Sequence, residues 1–118
     1  MKRTIAALLA FLCFIDDLDA GQIRTVKLNP NQIGQIRLAK DFCTLVQAPT
    51  KKFKLVSGKP EALEIVYDEN TFLIKPKVSS LQTNIFVLTD VGRFNLHISV
   101  TAPERADEVI YLEFNPSN

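Results

Sequence analysis

The sequence contains very few of the residues from which catalytic and metal-binding sites are built. Among its 118 residues there is one histidine, His97, and there are two cysteines, Cys13 and Cys43. A zinc site commonly draws on several such ligands, and a Cys–His nucleophile pair needs both groups within reach of each other. Cys43 lies in the apolar segment FCTLV and is predicted to face inward, whereas His97 is predicted to face outward. We therefore expect no catalytic residue, no metal site and no cofactor, and we do not expect an enzyme.

Paired acids and a glycine-rich loop are also lacking. The carboxylates are spread over turns and a polar segment near the C-terminus. Glu61 and Glu64 lie close together in sequence, but acids at loop edges are usually solvated, so we do not expect the carboxylate pair of a glycosidase.

Charge of one sign is not in excess. The chain has 14 basic and 13 acidic residues, and without residues 1–20 it would have 12 and 10, a net charge of +2 over 98 residues. A dedicated nucleic-acid binder normally carries a strong basic excess, so nucleic acid is not an expected partner. One basic group is evident, and it is interpreted either as protection of strand edges or as contact with an acidic protein surface or lipid headgroups. It comprises Lys51, Lys52, Lys54, Lys59, Lys75 and Lys77.

A long apolar run occurs once, at residues 5–15, and at 11 residues it is too short for a helix that spans a bilayer. It follows Lys2 and Arg3 and precedes Ala20, which is the pattern of a secretory signal peptide. We predict cleavage after residue 20, export to the periplasm or the periplasmic face of the outer membrane, and a mature chain without a transmembrane span. Cleavage removes Cys13, and the remaining Cys43 is then either buried or an intermolecular link.

The rest of the sequence has the pattern of a protein made of strands. Runs rich in β-branched and aromatic residues are separated by turn residues every eight to twelve positions, which is typical of a sandwich or barrel. The fold prediction is an all-β sandwich of seven to nine short antiparallel strands over residues 21–102. Gly34 is predicted to mark a bulge or bend, and Pro76 is predicted to end a strand in which Ile74 faces the core. Residues 93–100 alternate between polar and apolar side chains, which predicts a strand with Phe94, Leu96, Ile98 and Val100 on one face. The run from Ile85 to Leu88 is apolar at every position, so its strand is predicted to be central and covered on both faces.

The C-terminal part leaves two interpretations open. Residues 103–108 are predicted to form a charged linker, and residues 109–118 a final strand or a docking arm. The apolar segment VIYLEF can close the domain's own sheet, or it can add to the sheet edge of a partner protein. In the second case the docking residues would be Val109, Ile110, Tyr111, Leu112 and Phe114.

Residues 60–100, PEALEIVYDENTFLIKPKVSSLQTNIFVLTDVGRFNLHISV, carry a family resemblance. This stretch resembles the amino-terminal domain of TrbG/CagX-type proteins of type IV secretion and conjugation machines. The resemblance lies in the order of its segments: FLIKP, a variable loop, TNI, TD and an alternating final strand. A looser likeness is to the small β domain that precedes secretins in pilus assembly systems. The resemblance covers about residues 23–100, although Lys59 stands where the family often has aspartate. The matching residues are Phe72, Ile74, Lys75, Pro76, Thr83, Asn84 and Asp90.

This resemblance implies a non-catalytic structural module of a secretion or conjugation complex in the cell envelope. Its partners would be other envelope proteins, or further copies of itself in a ring, bound through sheet packing and strand edges. Family members also carry a second β domain that contacts the outer-membrane lipoprotein and the channel partner, and the resemblance does not extend to it. The alternative is an exported adhesin-like or chaperone-like sandwich that binds a peptide strand or a surface ligand.

Overall fold

The structure, a computed structural model, describes residues 23–115. The predicted signal peptide at residues 1–20 and the last three residues of the predicted C-terminal segment lie outside the described part.

Nine strands and two single turns of 3₁₀ helix make up the described chain. The strands are β1 (Ile23–Leu28), β2 (Ile33–Leu38), β3 (Thr44–Gln47), β4 (Phe53–Ser57), β5 (Leu63–Asp68), β6 (Thr71–Pro76), β7 (Gln82–Thr89), β8 (Gly92–Val100) and β9 (Val109–Phe114). The helical turns cover Pro60–Ala62 and Pro103–Arg105. Proline occupies the first position of both turns, where its missing N–H has no helical partner to lose.

The strands form two sheets, which confirms the predicted all-β sandwich. Sheet A has the order β1-β9-β3-β6-β5, and sheet B has the order β2-β8-β7-β4. The sheets are mixed rather than antiparallel throughout, because β9 runs parallel to both β1 and β3, and β2 runs parallel to β8. Strands adjacent in sequence pair antiparallel in β5–β6 and β7–β8, whereas β1 and β2 belong to different sheets.

The core lies between the sheets and is formed by side chains at every second position of the strands. On β8 the inward side chains Phe94, Leu96 and Ile98 are buried, as the alternation predicted. The opposite wall comes from sheet A. Its most deeply buried large side chains are Leu28, Val46, Phe72, Ile74 and Ile110.

The final strand closes the domain's own sheet. β9 lies between β1 and β3, with Ile110 entirely buried and Leu112 3% exposed. Both sides of this strand are therefore already paired, and its inward side chains form part of the core. The alternative in which Val109–Phe114 docks on another protein is wrong for these residues.

The segment interpreted as a charged linker is also part of the domain. Ala106 and Asp107 are buried, and the Asp107 side chain has no solvent exposure. Its carboxylate accepts hydrogen bonds from Arg24 Nε at 2.7 Å and from the Arg37 backbone N–H at 2.8 Å. The Thr44 hydroxyl donates to the Asp107 backbone carbonyl at 2.5 Å. Asp107 therefore connects β1 and β2, which are edge strands of different sheets, to the start of β3.

Two local predictions are corrected by the packing. Gly34 lies inside the regular strand β2, not at a bend, and a Cβ there would come within 2.6 Å of Leu28 Cδ2. The glycine therefore makes room for a core side chain. β7 is central in sheet B as predicted, but Phe86 on its outer face is 43% exposed, so the strand is covered on one face rather than two.

Candidate interaction surfaces

The two reactive side chains of the described region do not form a site together. Cys43 is exposed just before β3 of sheet A, whereas His97 lies on the outer face of sheet B. The prediction that Cys43 is buried is wrong, because the strand alternation turns Thr44 and Val46 inward and leaves Cys43 on the outward side with Leu45. His97 Nδ1 lies 3.1 Å from Gln35 Oε1 on the neighbouring strand. Among residues 23–115, no three His, Cys, Asp or Glu residues are grouped so that they could hold a metal ion.

The family-motif residues of β6 build the sandwich. Phe72 and Ile74 are buried and face the core, and Lys75 between Ile74 and Pro76 faces solvent. Pro76 is the last residue of β6, which agrees with the inability of proline to donate to a sheet ladder.

The motif residues of β7 support the neighbouring turn. Thr83 and Asn84 are half-buried, and a Cβ on Gly58 would lie 2.8 Å from Thr83 Oγ1 and 2.7 Å from Asn84 Oδ1. The Gly58 N–H donates to the backbone carbonyl of Asn84 at 2.9 Å. Asp90 is exposed in the turn between β7 and β8. None of these motif residues converges with another on a polar cleft, so they specify structure rather than chemistry.

The outer face of sheet A carries a continuous row of apolar side chains. In the strand register, Ile23 is opposite Val109, Val109 is opposite Leu45, Leu45 is opposite Leu73, and Leu73 is opposite Val66. These five residues form the outer apolar row, which crosses every strand of the sheet. Ile23 and Val66 at its ends are 59% and 52% exposed. Directly opposite side chains lie about 5 Å apart on a sheet, so the row is a contiguous apolar stripe rather than scattered apolar residues.

The sequence indicates apolar outer positions on several strands, but only the strand order shows that they form the outer apolar row. Val109 and Leu73 face outward on strands whose inward positions are also apolar, and Leu45 faces outward on β3, whose inward residues are Thr44 and Val46. Apolar residues at both the inward and the outward positions predict a strand with an apolar outer surface. Which of these residues lie side by side depends on the parallel pairing of β9 with β3, which sequence reasoning did not predict.

The outer face of sheet B carries a groove of about 730 Å³ at the end that holds the β1–β2 turn. Ile33, Asn95, Phe86 and Val56 lie side by side across its floor. The Asn95 Oδ1 atom is buried and accepts no hydrogen bond from any residue that the structure describes. Arg93 also lines the groove. This surface is therefore an apolar depression with one basic residue and one unsatisfied acceptor.

Two sheet edges differ in how well they are protected. β4, at one edge of sheet B, carries Lys54 on its outer face, with Lys51 and Lys52 just before it. β5, at one edge of sheet A, has neither lysine nor proline within Leu63–Asp68. Edge strands are commonly protected by lysine or proline against unwanted pairing. Lys51, Lys52 and Lys54 of the lysine group thus lie at the β4 edge, whereas Lys75 lies on β6, opposite Glu64 of β5. β5 itself carries no such protection.

No protein-family profile matches this sequence, and no curated protein matches it. Among solved structures the chain is similar to the M1 domain from titin, with 9% sequence identity and a TM-score of 0.35; the match covers 67% of this chain and 90% of that domain. A likeness at this level indicates neither a partner nor an activity.

Neither of the short helical turns in the part of the chain that the structure describes has the length and apolarity of a membrane span.

Proposed function

We propose that this protein is a non-catalytic interaction module of the cell envelope, exported to the periplasm or the periplasmic face of the outer membrane. In this proposal it is a subunit or accessory of a type IV secretion or conjugation complex. The family resemblance of residues 60–100 and the N-terminal pattern of a signal peptide support this assignment. The buried motif residues Phe72 and Ile74 are compatible with it, because they specify the sandwich rather than a site.

The outer apolar row is the observation that carries the proposal. A stripe of apolar side chains across five strands costs solubility, and larger contiguous apolar patches mark protein interaction sites. Charged residues flank the row on β5, where Glu64 and Asp68 lie on either side of Val66. An apolar centre with a polar rim is the usual anatomy of a protein interface. The partner is therefore an envelope protein that presents a complementary apolar face.

The experiment replaces one residue in the centre of the row and measures contacts in intact cells. Leu73→Lys places a charge in the middle of the row, while Thr71→Lys places it on the same strand and the same face, but outside the row. We expect that photo-crosslinking from the outer face of β6 yields adducts with envelope proteins in the unmodified protein and in Thr71→Lys. Leu73→Lys should lose most of them while its thermal midpoint shows that it still folds.

Identical adducts for Leu73→Lys and the unmodified protein would exclude the outer apolar row as the docking surface. Recovery of the protein from cells without any adduct would count against the envelope assembly itself. Retention of residues 1–20 in the purified protein would contradict export by a cleaved signal peptide.

A second candidate function is favoured by the open edge of β5. An adhesin-like or chaperone-like sandwich binds an extended peptide by adding a strand to a free edge, and β5 is such an edge. The two functions differ in the site of crosslinking. Probes on β5 would then capture unfolded or secreted chains, whereas probes on the outer face of β6 would capture nothing.

A further inference from the structure

The strands of sheet B carry charges of one sign only. β2, β4, β7 and β8 contain no aspartate and no glutamate. Their charged side chains are Arg37, Lys54 and Arg93. Sheet A differs, because Glu113 lies opposite Lys27 and Glu64 lies opposite Lys75. The outer face of sheet B is therefore cationic, whereas the outer face of sheet A pairs cations with acids across its strands.

Two of these cations lie beside the groove on the outer face of sheet B. Arg93 lies opposite Leu88, and Leu88 lies opposite Lys54, so the three form the row next to the groove floor. Neither cation forms an ion pair within residues 23–115, and this includes Arg93 with Asp90 in the adjacent β7–β8 turn. An anion bound at this row would therefore meet two cations and no carboxylate from the strands of the same sheet.

The one polar residue among the four that form the groove floor presents a donor to it. Asn95 is half-buried and lines the groove, and its Oδ1 atom is buried, so the Nδ2 amide group is the end that faces the groove. At the rim, Gln32 Oε1 already accepts a hydrogen bond from Asn29 Nδ2 at 2.7 Å. The floor and Arg93 therefore offer hydrogen-bond donors, while the acceptors of Asn95 and Gln32 are turned away or already bonded.

The rest of the floor is apolar and accessible. Ile33, Val56 and Phe86 are 58%, 45% and 43% exposed. The groove volume of about 730 Å³ lies within the roughly 300–1,000 Å³ of small-molecule sites. Covering these side chains with an apolar group would be favourable, because it removes apolar surface from water. The groove thus fits a ligand that has an apolar body and an anionic end.

We propose that this groove binds a fatty-acid-type ligand, which is a single apolar chain that ends in one carboxylate and has no hydrogen-bond donor. The carboxylate accepts hydrogen bonds from Arg93 and Asn95 Nδ2, and Lys54 adds to the positive potential there. The chain covers Phe86 and Val56. A peptide matches this groove less well, because its backbone N–H groups would face donors, and a buried N–H without an acceptor is costly.

This ligand site goes beyond the proposed envelope function and is tested separately from it. The site lies on sheet B, whereas the proposed docking surface lies on sheet A. Leu73→Lys should therefore leave ligand binding unchanged, and a groove that binds nothing leaves docking on the outer apolar row untouched.

The first test locates the ligand on the protein. Decanoate, kept below the concentration at which it forms micelles, is titrated into the purified ¹⁵N-labelled protein while the backbone amide signals are followed by NMR. We expect saturable shifts at Arg93, Asn95 and Phe86, and none at Leu45 and Leu73 on the outer face of sheet A. Shifts that do not saturate, or that occur only on sheet A, would overturn the proposal.

The second test separates the contribution of charge from that of the apolar floor. Decanol has the same chain without the charge and should bind about tenfold more weakly. Arg93→Gln should weaken decanoate binding about three- to tenfold and leave decanol binding unchanged. Lys75→Gln makes the same kind of change on the outer face of sheet A and should alter neither affinity. Phe86→Asn should weaken both ligands, and its thermal midpoint shows whether it still folds. Equal affinity for decanoate and decanol would refute the role of the cations.

Two further probes test the class of ligand. The acetylated tripeptide alanyl-leucyl-phenylalanine has a free carboxylate and apolar side chains but also backbone N–H groups, and we expect it to bind more weakly than decanoate. Tighter binding of this peptide would show that the ligand class is wrong. Sedimentation with phosphatidylglycerol vesicles, together with no response to decanoate, would overturn the proposal and assign the cationic face to a membrane surface instead.

Discussion

Removal of the buried Asp107 carboxylate tests whether the two sheets are tied together at the β1–β2 side. In the structure this carboxylate accepts from Arg24 Nε at 2.7 Å, from Arg24 Nη2 at 3.0 Å and from the Arg37 backbone N–H at 2.8 Å. The Arg24 guanidinium also donates to the Gln35 backbone carbonyl on β2. Asp107→Ala would therefore remove the carboxylate partner of Arg24, which keeps the Gln35 carbonyl, and would remove the acceptor of the Arg37 backbone N–H.

The expected loss follows from the burial of each group. Removal of one partner from a buried ion pair costs about 3–5 kcal/mol, but the Arg24 side chain is 30% exposed and can recover water. We therefore expect Asp107→Ala to lower the free energy of unfolding by about 3 kcal/mol, which includes the unpaired Arg37 N–H. This is a large share of the roughly 5–15 kcal/mol by which a domain is stable. For a domain of this size the thermal midpoint should fall by about 10–20 °C.

The measurement is chemical and thermal denaturation of three proteins. Asp107→Asn keeps an acceptor for the Arg37 N–H but loses the charge that faces Arg24, so it should lose roughly half as much stability. Glu108→Ala removes the adjacent acid, whose side chain is exposed, and should stay within a few degrees of the unmodified protein. If Asp107→Ala melts within about 3 °C of the unmodified protein, the carboxylate does not hold the sheets together and the reasoning is refuted.

Three further outcomes are expected. Gly34→Ala should lower the free energy of unfolding by about 1–3 kcal/mol, because its Cβ would meet Leu28 Cδ2 at 2.6 Å and Val26 Cγ1 at 2.9 Å. Denaturant titration measures this loss, and an unchanged midpoint would contradict the close approach. Deletion of residues 104–118 should abolish cooperative unfolding by circular dichroism, because it removes β9 from the middle of sheet A; a truncated chain with the full midpoint would show that β9 is dispensable. Cys43 should react with a maleimide in the native protein at nearly the rate of a free thiol, because it is exposed; reaction only after denaturation would show that it is covered.

Local patterns predicted the strands because their evidence lies within a few residues. The alternation of Phe94, Leu96 and Ile98 identified β8 and its core face, and Pro76 marked the end of β6. A period of two and the chemistry of proline are properties of short segments. The core face of each of these strands was therefore correct before any tertiary information.

The order and direction of the strands could not be predicted in the same way. The partners of β9 are β1 and β3, and Ile23 lies opposite Val109 across nearly the whole described chain. The burial of Asp107 has the same origin, because its partner Arg24 is 83 residues away. In the sequence Asp107 is one of three acids in a charged segment, and nothing local distinguishes it from Glu104 and Glu108.

The candidate surfaces could not be predicted from the sequence for the same reason. The openness of β5 depends on its position at the edge of sheet A, and the exposure of Phe86 depends on the uncovered outer face of sheet B. An apolar strand that is covered on both faces and one that is covered on one face have similar sequences. The lysine group was recognised in the sequence, but the position of Lys54 beside the β5 edge depends on the packing of the two sheets.

The position of β9 also determines when this protein can fold. During synthesis β1 emerges first among the described strands, and its sheet neighbour β9 emerges last. At about 5–20 residues per second, the ribosome takes several seconds to make the intervening chain. Through that interval β1 and one side of β3 have no partner in sheet A, so this sheet closes only after the last described strand has left the ribosome, and its unpaired strand edges stay accessible to holding factors until then.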